Sequence, residues 1–169
     1  PVSLLDFSFR FYDSIGTGSY ARSYGMLYAY EGGNQSGTLQ QIVAVGHYGS
    51  VTSTKYDGRV AFGGPNWFPL DDPAAPDRSV GWHEAQVLGS LAGSTAQYQF
   101  YIDGILSKTV SSTVTDPFNW VVIGSGLTSP YGMWYDDVLV VIPEPSTLAL
   151  GLLGGLGLAG SLIRRRSRQ

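Results

Sequence analysis

Leu5, Phe7, Phe9 and Phe11 alternate with Asp6, Ser8, Arg10 and Tyr12. A period of two puts the four apolar side chains on one face, as a half-buried β-strand requires. The same period returns in Tyr98, Phe100 and Ile102 set against Gln97, Gln99 and Tyr101. Asp103-Gly104 separates that run from the apolar-rich stretch 105–110. Asp-Gly between two such runs predicts a hairpin, because a type I′ turn needs positive φ at both positions. Further strands are predicted over residues 24–30, 40–48, 59–62, 82–88, 120–124 and 133–141. No stretch before Thr147 carries a helical period. The 23 Gly, 11 Tyr, 7 Phe and 4 Trp fit strands joined by tight turns. About nine short strands with Gly-rich turns predict an all-β, antiparallel sandwich. Residues 63–79 carry Pro65, Pro69, Pro73 and Pro76 among Asp71, Asp72 and Asp77, and are expected to form a long surface loop.

The C-terminal segment obeys different rules. Residues 147–163 form a 17-residue run without a charge. As a helix it would span roughly 26 Å, at the short end for a bilayer core of about 30 Å. Pro143 and Pro145 block its extension backwards. Arg164, Arg165, Arg166 and Arg168 follow, the basic flank expected on the cytoplasmic side. The run has no polar face, which argues against an amphipathic core helix. A transmembrane helix is therefore expected at about 147–163, with residues 1–142 outside the cytoplasm. Gly155, Gly157 and Gly160 spell G-x-G-x-x-G, but no strand leads into them, so a dinucleotide site is not expected.

Charge and cysteine content narrow the function. Residues 1–142 hold twelve acidic against six basic side chains, so no basic stripe is available for nucleic acid. The absence of Cys excludes disulfides, thiolate metal sites and a Cys nucleophile. Pro1 in place of Met raises the expectation of an upstream segment such as a signal peptide.

Pro143, Glu144, Pro145 and Ser146, then the apolar run, then the Arg cluster, closely resemble the PEP-CTERM sorting signal of exported bacterial proteins. The resemblance implies exosortase as a partner, with cleavage near Pro-Glu-Pro. It also implies a transient inner-membrane anchor and final delivery to the cell surface or extracellular matrix. The family often accompanies exopolysaccharide production. A second resemblance covers about 78–142. Trp82-His83, then Tyr101-Ile102-Asp103-Gly104, then Asp136-Asp137-Val138 look like the laminin-G-like, concanavalin A-like lectin/glucanase jelly roll. Members of that fold bind glycans or proteins, or hydrolyse glycans, and the fold alone does not choose.

Catalysis is not expected. Glycoside hydrolysis needs paired carboxylates, and the glucanase E-x-D-x-E pattern is absent. Glu84 shares its strand face with Gln86, while adjacent Asp136 and Asp137 should point to opposite faces. His83, in phase with Ala85 and Val87, is expected to pack in the core. The sequence contains no HExxH and no G-x-S-x-G. No cofactor is required. The jelly-roll resemblance allows structural calcium at Asp136 or Asp137, against the plainer expectation of a turn contact and a solvated carboxylate. Trp67, Trp82 and Tyr101 are the candidates for stacking on sugar rings, against core or rim packing. The expected architecture is thus a β-sandwich domain at 1–142 followed by a sorting segment at 143–169. The expected function is a non-catalytic surface module, with polysaccharide as its candidate ligand. A structural matrix protein without a ligand and a degenerate glycan hydrolase are the alternatives.

Overall fold

The computed structural model describes residues 2–17, 22–49, 51–52, 54–124 and 134–142. Among these described residues ten strands run in order: β1 (Val2–Asp13), β2 (Arg22–Tyr30), β3 (Leu39–Tyr48), β4 (Asp57–Ala61), β5 (Asn66–Pro69), β6 (Gly81–Ala92), β7 (Thr95–Ile102), β8 (Ile105–Ser112), β9 (Trp120–Ile123) and β10 (Trp134–Val141). They form two antiparallel five-stranded sheets, ordered β10-β1-β6-β7-β8 and β5-β4-β3-β2-β9. The protein is an all-β sandwich. The chain changes sheet after β1, β5, β8 and β9.

The period of two places the core as expected. Leu5, Phe7, Phe9 and Phe11 of β1 are buried together with Ala85, Val87, Tyr98, Phe100 and Ile102. Leu27, Ala29, Val43, Val45, Val60 and Phe68 of the second sheet complete the same cluster. Phe68 meets Phe100 edge-on, with centroids 5.3 Å apart. Gly25 has a specific role in this packing. A Cβ there would lie 2.5 Å from Phe9 Cε1 and 2.8 Å from Phe7 Cζ, so any larger residue would push β2 off the phenylalanine row. The predicted hairpin is present, with φ of 51° at Asp103 and Gly104 in the same left-handed region at 74°.

Two expectations need correction. Residues 63–79 are not wholly a loop, because β5 lies inside them. Among the described residues it pairs only with β4, at the edge of its sheet, where Pro69 costs no ladder bond. Its inward residue Phe68 supplies the reason for the strand. Asp136 and Asp137 do not follow simple alternation either. The register passes from Arg10↔Asp136 to Ser8↔Leu139, so β10 carries an extra residue, and Asp137 has φ of 50°. This is a β-bulge, and it leaves both carboxylates exposed.

The expected span at 147–163, Pro143, Glu144, Pro145, Ser146 and the four tail arginines lie outside the described residues. Among the described residues, no helix is long and apolar enough to cross a membrane.

Candidate functional site

The outer face of the second sheet carries an aromatic row. On β2, Gly25, Leu27 and Ala29 turn inward, so Tyr24, Met26, Tyr28 and Tyr30 turn outward. Cross-strand register adds to them: Tyr28 lies opposite Ile42 and Trp120, and Met26 opposite Ala44 and Val122. Arg59 lies opposite Trp67. Tyr24, Met26 and Ala44 form a second buried cluster, covered by half-buried Tyr28, Tyr48, Trp67 and Val122. Tyr48 and Trp67 stack with centroids 4.4 Å apart and planes 12° apart. Tyr24 sits 5.3 Å from Trp67, and Tyr28 stacks on Tyr30 at 5.7 Å. Arg22 lies 4.7 Å over Tyr48 and Arg59 lies 5.4 Å over Trp67, both as cation–π partners. Burial pushes the Tyr24 and Tyr28 hydroxyls above the ordinary phenol range, so they remain neutral donors.

At the Tyr30 end the row runs into a recess of about 600 Å³. Tyr30, Glu31, Gln40, Asp116, Pro117 and Asn119 line it, together with Ala29, Gly32 and Gly33. Asn119 fixes the wall, since its Oδ1 accepts from Tyr30 N at 3.1 Å and its Nδ2 donates to Tyr30 O at 2.8 Å. Gly32 and Gly33 take φ of 68° and 74°, the left-handed region that favours glycine, so this turn carries no side chain. One aromatic ring, two carboxylates and two carboxamides thus converge on a cavity of small-ligand size.

The three aromatic candidates do not form one site. Trp67 belongs to the aromatic row. Trp82 and Tyr101 lie on the outer face of the other sheet, where Tyr101 pairs with Gln86. Trp82 is 44% exposed and joins a different group: Tyr12 stands edge-on to Trp82 at 5.7 Å and to Trp134 at 5.5 Å. Tyr24, Tyr28, Tyr30 and the recess were missed at the sequence level. Their signal is the alternation of large aromatics with Gly25, Leu27 and Ala29. Both sets are apolar, so hydrophobicity alone does not say which face turns outward.

Asp136 and Asp137 each have a partner within the first sheet. Asp137 Oδ2 lies 3.6 Å from Arg10, and Asp136 Oδ1 accepts from Asp137 N at 2.9 Å. Among the described residues no group of three or more His, Cys, Asp or Glu could hold a metal ion.

A second polar group centres on buried His83. His83 packs against Phe11 and Tyr56, in line with the expected core position. Its Nδ1 lies 2.7 Å from Asp103 Oδ2, and its Nε2 lies 3.3 Å from Ser79 Oγ. The order Ser-His-Asp has the outline of a nucleophilic triad. Nε2 lies closer to the Ser79 carbonyl oxygen, at 2.9 Å, than to its Oγ. The arrangement ties the loop before β6 to the β7–β8 turn, where Asp103 Oδ1 also accepts from Glu84 N at 2.8 Å.

No curated protein sequence matches the chain. Residues 141–167 match the PEP-CTERM protein-sorting motif, in agreement with the sequence reading. The match supports export of the chain and its processing by exosortase at the C-terminal segment.

Proposed function

We propose that this exported, exosortase-processed protein is a non-catalytic polysaccharide-binding module of the cell surface or extracellular matrix. In this reading the strands form a concanavalin A-like jelly roll, and residues 147–163 hold the domain at the inner membrane until cleavage near Pro-Glu-Pro. The observation that carries the ligand assignment is the half-buried pair Tyr28 and Tyr30, supported beneath by Tyr24 and Met26, beside the recess of Gln40 and Asp116. Tyr24 and Met26 are buried beneath their neighbours, so the accessible part of the row is the stacked pair Tyr28 and Tyr30. Tyrosine faces suit the apolar faces of pyranoses, and the carboxylates and amides suit their hydroxyls. Arg22 and Arg59 beside the row favour a glycan carrying carboxylate or sulfate groups.

The test is a glycan array probed with the mature protein recovered from cells. Binding that falls at least tenfold in Tyr30→Ala and persists in Trp82→Ala supports this reading. Binding to no glycan removes it and leaves the structural matrix role. The C-terminal mass of the same material reports separately on cleavage near Pro145.

A further inference from the structure

We infer that the β10 edge of the sandwich rests on the phospholipid surface of the membrane that holds the tail. The inference rests on the anchor reading given above. Among the described residues β10 is an edge strand, paired only with β1. Its C-terminal half is apolar and open: Val138, Leu139, Val141 and Ile142 are 49%, 48%, 46% and 39% exposed. Soluble sheets protect such edges with charge, proline or a covering segment. Here Asp136 and Asp137 stop short of the open stretch, and 138–142 carry no charge.

Chain length names the occupant. Four residues, Pro143 to Ser146, separate Ile142 from the uncharged run beginning at Thr147. Fully extended, that connection covers about 17 Å. Once the run is in the bilayer, Ile142 cannot leave the headgroup zone by more than that distance. The open apolar edge is therefore delivered to the interface by its own tether. Farther along the same sheet face, Trp134, Tyr12 and Trp82 form the aromatic group with Arg10 5.4 Å over Trp82. Trp, Tyr and Arg are the side chains that favour the bilayer interface. With β10 lying along the membrane, both ends of this face meet lipid. The aromatic row of β2 lies on the outer face of the other sheet.

The chain has no Cys, so one introduced thiol can be labelled cleanly. Leu139→Cys on β10 and Leu106→Cys on β8, at the opposite edge, would each carry a fluorophore in the full-length chain. The chains would be reconstituted in phosphatidylcholine–phosphatidylethanolamine vesicles containing a lipid quencher placed near the headgroups. The inference expects at least threefold stronger quenching at 139 than at 106, reduced toward the 106 level by Val141→Glu. Equal quenching in a chain that resists alkaline extraction overturns the docking and leaves the anchor standing. Release by alkaline extraction overturns the anchor and the docking together. Self-quenching at 139 that disappears when the protein is diluted in lipid assigns the edge to a second copy of the chain and overturns the lipid assignment.

Discussion

The guanidinium of Arg78 meets the carboxylate of Asp13 at 2.9 Å, and their side chains are only 0% and 4% exposed. Nε and Nη2 donate to the two oxygens at 3.0 and 3.2 Å, so the pair is bidentate. Asp13 Oδ1 also accepts from Ile15 N and Gly16 N, which fixes the exit from β1. Removing one member strands the other charge in the interior. Asp13→Ala and Arg78→Ala should each lower stability by about 3–5 kcal/mol. The double variant should lose clearly less than the sum, because no charge is then left unpaired. Urea unfolding of the four proteins measures this cycle. Additive losses would show that the pair is not coupled.

Trp67 contributes to the aromatic row through contact with Tyr48, Tyr24 and Arg59. Trp67→Ala should lower stability by about 1–3 kcal/mol, through lost burial and lost stacking. Trp82, on the opposite face and more open, should cost less than about 1 kcal/mol when changed to Ala. Comparison of the two melting transitions tests the assignment of Trp67 to a packed platform. A smaller loss for Trp67 than for Trp82 would contradict it.

How far the sequence discloses this molecule depends on contrast between neighbouring residues. In β1, phenylalanines alternate with Asp6, Ser8 and Arg10, and the strand, its inward face and its place in the core are all legible. Asp103-Gly104 is equally plain, because few dipeptides accept two positive φ angles. β2 is legible as a strand but not in orientation, since tyrosines alternate with Leu27 and Ala29, and both faces are apolar. β5 is hidden by prolines that an edge position tolerates. The bulge at Asp137 arises from register against β1, which no local pattern encodes. The recess joins the end of β2 to residues 116–119, far apart in the chain, and so had no local signature.

Asp57 should make stability depend on pH in an unusual direction. Burial raises its pKa above the ordinary 3.8, outweighing His47 and the Tyr48 backbone N–H, which favour the carboxylate. His47 Nδ1 is 3.3 Å away but not aligned for a hydrogen bond, and Tyr48 N donates to Oδ2 at 2.7 Å. From 3.8 up to its raised native value, the folded state holds more proton at this site than the unfolded state does. Stability from this group is therefore complete below 3.8 and declines as pH rises through the native value. Relative to Asp57→Asn, which cannot titrate, the wild type should gain stability as neutral solution is acidified toward 3.8. Denaturant midpoints of the two proteins across that range check the sign. A difference that widens in favour of the variant on acidification would refute it.

Tyr98 should set an alkaline limit. Its phenol is buried in the core, where the hydroxyl accepts from Gln41 Nε2 at 2.8 Å. Burial pushes its pKa from 10.0 up to about 12, against the smaller opposing effect of Gln41. Burial raises Tyr56 further still, with the Asp13 charge adding to the effect. Between pH 10.0 and about 12 the unfolded chain gives up the Tyr98 proton while the folded chain keeps it. Stability is thus intact below 10.0 and falls as pH climbs toward about 12. Tyr98→Phe leaves Gln41 Nε2 with Val114 O alone, at 3.0 Å. The variant should lose about 1 kcal/mol at neutral pH. Above pH 10.0 its stability should fall less steeply than that of the wild type, since one of the resisting phenols is gone. Phenolate absorbance followed together with circular dichroism gives the decisive reading. In the wild type a late fraction of the tyrosine signal should appear only as the sheet structure is lost, and that fraction should shrink in Tyr98→Phe. A single early titration, complete while the sheets persist, would mean that Tyr98 is open to water.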